Sequence, residues 1–133
     1  VVLAAVNQNG DALRFASEGL KGDKELVLAA VTQNGKTLWV ASEELKRDKE
    51  VVLAAVNQHG YALQCASEEL QGDKEVVLVA VNHDTELGYY SRRVLKYASA
   101  ELQGDKELVL VAVSQNGGSL EFASDEMKGD KEV

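Results

Sequence analysis

One thiol, two imidazoles and twenty-two carboxylates are the side chains of this 133-residue chain with nucleophilic or acid–base chemistry to offer. Cys65 with His59 has the makings of a thiol–imidazole dyad, in which the imidazole takes the thiol proton and leaves a nucleophilic thiolate. Such a dyad also needs a third group to orient the imidazole and N–H donors for an oxyanion, and no spacing in the chain supplies either. Glu43-Glu44 and Glu68-Glu69 suggest acid/base pairs or oxygen ligands for calcium. A calcium loop requires an Asp-x-Asp-x-Asp-Gly run with a closing glutamate, which is missing. The glycines do not form a phosphate cradle, since neither GxxxxGK[ST] nor a strand-linked GxGxxG occurs, and Gly117-Gly118 falls at a junction between helices. No catalytic residue, metal site or cofactor is expected, and the chain reads as non-enzymatic.

These residues take their meaning from an internal period. Shifting the chain by 25 residues superposes 1–25, 26–50 and 51–75; a fourth copy, 76–107, carries seven extra residues near 85–91, and a fifth spans 108–132. Each slot can then be compared across copies. Cys65 shares its slot with Phe15, Val40, Tyr97 and Phe122, which marks a packing position. His59 stands where Asn9, Asn34 and Asn116 stand, and His83 where Gln8, Gln33, Gln58 and Gln115 stand. The paired glutamates repeat with the unit and read as a solvated face.

Each unit is expected to hold two short helices. Asp23, Asp48, Asp73, Asp105 and Asp130 sit where a carboxylate caps orphan N–H groups, and the glutamate two residues on faces the positive end of the helix dipole. The first helix is predicted over Leu26 to Gln33, with Gly35 as a left-handed stop. The second is predicted over Lys36 to Lys46, ended in the other copies by Gly22, Gly72, Gly104 and Gly129, with Arg47 replacing that glycine once. Leu26 to Val31 is apolar on all sides, so the first helix should form an inner layer. Leu13, Ala16 and Leu20 share one face of the second, with Asp11, Arg14, Glu18 and Lys21 towards solvent. Helices of about 15 Å are too short to persist alone in water and must be stabilised by stacking. The fold class is therefore all-α, a right- or left-handed solenoid of about five units. A rival reading places runs such as Leu108 to Val113 in buried strands, as part of a strand-plus-helix solenoid.

The wording of the unit, DKEVVLAAVNQHGYALQCASEEL from Asp48 to Leu70, resembles the repeat of domain-of-unknown-function family 4116. Elements of the DKEVVLAAV and ALxxAS type recur in order in every copy. The resemblance implies a long-array repeat and brings no activity, cofactor or catalytic residue with it.

Twenty-two acidic against fourteen basic side chains give a formal charge of -8, which repels phosphate backbones and argues against nucleic acid. The longest apolar runs are six residues, so the chain is not expected to span a membrane. A lone cysteine tilts weakly towards an intracellular origin. Two departures from the repeat are candidate partner-binding sites. Trp39 occupies the outward slot held elsewhere by Arg14, Gln64, Lys96 and Glu121, and the insertion with its flank combines Tyr89, Tyr90, Arg92 and Arg93. Neither end is a polar capping unit and the chain lacks an initiator methionine, which points to a segment of a longer array or to ends covered by partners, with self-association through the ends expected. The functional expectation is a repeat module for protein–protein interaction or scaffolding; the alternatives are a structural linker in a large assembly, such as an organellar one, and the accessory array of an enzyme whose catalytic domain lies elsewhere.

Overall fold

The computed structural model describes residues 1–83 and 91–133 and is an all-α array. No strand occurs among the described residues, and the β-branched run Leu108 to Val113 lies within an α-helix, so the strand-plus-helix alternative is overturned. The inner layer consists of α1 (Val2–Gln8), α3 (Lys24–Gln33), α4 (Lys49–Gln58), α6 (Lys74–Asn82) and α8 (Lys106–Gln115), and the single-turn helices α2 (Glu18–Lys21), α5 (Glu68–Gln71), α7 (Ala100–Gln103) and α9 (Asp125–Lys128) fall between or after them. The expected caps are in place: Asp23 accepts from the Leu26 N–H at 3.0 Å and Asp105 from the Leu108 N–H at 3.0 Å, with Asp48 and Asp73 doing the same at 3.3 Å.

Each inner helix packs against its equivalent in the next unit, α1 on α3, α3 on α4, α4 on α6, α6 on α8. Val27, Ala30 and Val31 of α3 and Val52, Ala55 and Val56 of α4 are wholly buried in this seam. The enclosure is less complete than an apolar circumference suggests: Leu28-Ala29, Leu53-Ala54, Leu78-Val79 and Leu110-Val111 are only half-buried and form a recurring apolar stripe on one side of the layer.

The outer layer differs from the expected second helix, which is in two pieces. A 3-10 helix (Gly35–Val40 in the second unit, Gly60–Cys65 in the third) is followed by two extended residues and then a single helical turn such as α5. The physical reason lies at the Ala-Ser pair. With Ala41 extended at φ -65° and ψ 157°, the Ser42 N–H leaves its own helix and donates to the Lys21 carbonyl of the preceding unit at 3.0 Å. The Ser42 hydroxyl oxygen meanwhile accepts from the Leu45 N–H, capping the next turn. The same main-chain stitch recurs from Ser67 to Lys46, Ser99 to Gln71 and Ser124 to Gln103. One intrahelical bond is exchanged for one between units, at little net cost. Leu13, Leu38, Leu63 and Leu95 of the 3-10 helices are essentially fully buried, each contributing about 1.5–3 kcal/mol relative to exposure.

Gly35 is not a left-handed stop. Asn34 ends α3 in an extended conformation, and Gly35 begins the 3-10 helix with its Cα so close to the next unit that a Cβ would collide with the Ala55 carbonyl oxygen. Gly10 repeats this: a Cβ there would lie 2.7 Å from the Ala30 carbonyl oxygen. Conversely, Gly72 ends α5 at φ -96°, a conformation open to any residue, which explains why Arg47 can take the equivalent place.

Candidate interaction surface

The most regular polar feature is a ladder of ion pairs across the unit junctions. Lys24 Nζ lies 2.9 Å from Asp48 and 2.7 Å from Glu50; Lys49 makes the same contacts with Asp73 and Glu75, Lys74 with Asp105 and Glu107, and Lys106 with Asp130 and Glu132, all between 2.7 and 3.0 Å. Lys24, Lys49 and Lys74 thus each bridge the cap and the first-turn glutamate of the next inner helix, and Lys106 makes the equivalent contacts beyond α9. Hydrogen bonds donated to the paired glutamate and aspartate raise the lysine pKa values. The aspartates are held below their ordinary range, Asp48 chiefly by Lys24, and Asp105 by the Leu108 N–H and then Lys74. For Asp73, desolvation works the other way and is outweighed by Lys49 and the Val76 N–H. Sequence reasoning assigned the Asp and Glu of this motif and missed the lysine; its presence in every DKE triplet was the available signal.

The outer ridge carries the sequence departures. Trp39 is 56% exposed on the Gly35–Val40 helix and, with Asp11, Arg14, Thr37 and Val40, lines a shallow groove of about 120 Å³. Phe15, expected to be packed, is 83% exposed. Its slot faces back along the array: Tyr97 packs edge-on against Tyr61 of the preceding unit, with ring centroids 5.4 Å apart and hydroxyls 3.1 Å apart, whereas Phe15 has the guanidinium of its neighbour Arg14 5.3 Å from its ring centre. Burial, reinforced by the Tyr61 hydrogen bond, pushes the Tyr97 hydroxyl up to about 12.

Arg92 and Arg93 lie on the Ser91–Tyr97 3-10 helix and are half-buried. Arg92 stands where other units hold the close-approach glycine, its side chain running against Gly118 and its guanidinium 3.7 Å from Glu121. Arg93 is near enough to Tyr97 to oppose the rise of its pKa. Tyr89 and Tyr90, with most of the insertion predicted near 85–91, lie outside the described residues. The 3-10 helix Gly60–Cys65 separates Trp39 from the two arginines, so these candidates occupy two stations on one ridge.

Cys65 is half-buried beside this ridge, and desolvation raises its thiol pKa, which lowers the thiolate fraction. His59 ends α4 in the extended slot and, unlike the asparagines there, makes no cap through its side chain. Among the described residues no three His, Cys, Asp or Glu side chains gather as a metal site, and no helix is long and apolar enough to cross a membrane.

A family model described as Domain of unknown function (DUF4116) matches three segments, residues 1–46, 48–103 and 90–128, which together span nearly the whole chain. No curated protein and no solved structure matches it.

Proposed function

For this chain, which belongs to the DUF4116 family, we propose the role of a non-catalytic helical-repeat module that binds or scaffolds other proteins. The observation that carries this reading is Trp39. A tryptophan more than half exposed, in a slot that is polar in every other unit, presents a large, rigid apolar surface of the kind that anchors interfaces. The half-buried Leu-Ala stripe along the inner layer adds a repetitive apolar surface, and the Arg92-Arg93 station supplies donors for an acidic partner segment. The raised Cys65 thiol is poorly suited to nucleophilic work.

The test is capture of partners from the native source by the 133-residue chain and its variants. Trp39→Ala is expected to weaken capture at least tenfold and Arg92→Ala to weaken it less, with helicity by circular dichroism unchanged. Undiminished capture by both variants, or a turnover that is lost in Cys65→Ala, would overturn the proposal.

A further inference from the structure

Between one outer 3-10 helix and the next, two slots face each other, and the chain fills them differently from junction to junction. Between the third and fourth units they hold Tyr61 and Tyr97, whose rings pack edge-on with centroids 5.4 Å apart and whose hydroxyls lie 3.1 Å apart. Between the first and second units the same slots hold Asp11 and Val40. Val40 carries no ring, and both residues line the groove of about 120 Å³ that Trp39, Arg14 and Thr37 complete. The units on both sides of this groove are described, so it does not arise from the ends of the array.

The walls of the groove define the chemistry it accepts. Asp11 Oδ1 accepts from the Asn34 amide at 3.0 Å, and no hydrogen bond among the described residues occupies Oδ2, which leaves an acceptor in the slot of Tyr61. Thr37 does not compete for it, because its hydroxyl is buried and donates to the Asn34 carbonyl at 2.6 Å. Trp39, 56% exposed, gives an apolar wall on which a second ring can pack edge-on or offset. Asp11 disfavours an anionic occupant and Arg14 a cationic one. A neutral ring that ends in a donor satisfies all of these walls, and its size fits, since a cavity of about 150 Å³ holds benzene.

We propose that this groove takes a tyrosine side chain from a partner protein, its ring against Trp39 and Val40 and its hydroxyl donating to the Asp11 carboxylate. The proposal rests on the interaction-module reading and names the partner feature that the module recognises. The incoming ring does at this junction what the Tyr97 ring does between the third and fourth units. The array thus holds one aromatic socket open and closes another with its own side chain.

Trp39 is the only tryptophan in the chain, so tryptophan fluorescence reports on this groove alone. Titration with p-cresol, the tyrosine side chain as a free molecule, is expected to change that fluorescence saturably in the millimolar range. Binding should be about threefold tighter than for toluene, which lacks the hydroxyl. Asp11→Ala should erase that preference. Val40→Tyr, which supplies the ring from within, should abolish the saturable response and weaken capture of partners from the native source about tenfold, with helicity unchanged. A linear response shared by the Val40→Tyr chain, a hydroxyl preference that survives Asp11→Ala, or saturable binding of methylguanidinium in place of p-cresol overturns the proposal. So does undiminished capture by the Val40→Tyr chain. Because that chain keeps Trp39, loss of capture in Trp39→Ala alone would remove the tyrosine assignment and leave the interaction reading standing.

Discussion

The second and fifth units carry nearly the same apolar pattern and bury it to different extents. Leu38 and Val31 are sealed completely, whereas Leu120 and Val113, in the same slots, are half-buried. A Cβ on Gly35 would strike the Ala55 carbonyl, while on Gly117 it would meet nothing within 4 Å. The difference is the following unit, whose inner helix covers the second unit and is missing from the described structure beyond the fifth. In such an array a residue's energetic weight is set by its neighbour across the seam at least as much as by its own type.

The largest expected break in that comparison comes from truncating the sealed leucine. Leu38→Ala should destabilise by about 3 kcal/mol and Leu120→Ala by roughly half of that or less, read from chemical denaturation midpoints. Next is the glycine pair. Gly35→Ala should cost about 1–3 kcal/mol by forcing the seam apart, while Gly117→Ala should be neutral or slightly stabilising through the reduced freedom of the unfolded chain. Smaller still is the ladder: Lys49→Ala should lower the denaturation midpoint slightly and Lys131→Ala not at all, a difference that should vanish in 1 M salt.

The pH dependence sharpens the same point. Asp48, Asp73, Asp105 and Asp130 have folded pKa values below those of the unfolded chain, so their contribution is present above about pH 4 and is lost as pH falls through the folded values. The four rung lysines are raised, so theirs is full below about pH 10.5 and is lost only above it. Thermal melts across this range should show a plateau at neutral pH with an acid edge, and the Lys49→Ala chain should show a shallower acid edge than the parent.

Much of the array was readable in the amino-acid order because its signals are local and repeated. The aspartate caps, the all-apolar inner helices and the period each depend on a few adjacent residues. The outer layer was misread as one continuous helix because Leu13, Ala16 and Leu20 satisfy helical spacing even though the chain opens between Ala16 and Ser17. The serine followed by glutamate was a cap signal, but the inter-unit bond that makes the break favourable has no signature in one unit alone. Of the candidate interaction surface, the outward slot of Trp39 could be read from its polar equivalents. The exposure of Phe15 could not, since it depends on what the neighbouring unit places opposite it. The Glu121 partner of Arg92 likewise lies in the next unit and follows only from the stacked geometry.

The serine-to-carbonyl stitch is built wholly from main chain, so side-chain drift leaves it untouched. Between Gln71 and Ser99 the intervening segment is seven residues longer than at the other junctions, and yet the bond is 3.0 Å, the same as between Lys21 and Ser42. Extra sequence between these two residues thus leaves the bond between units as it is at the other junctions. The fourth unit is accordingly a natural grafting point, where segments of different length and content can be exchanged while the stitch to the neighbouring unit is kept.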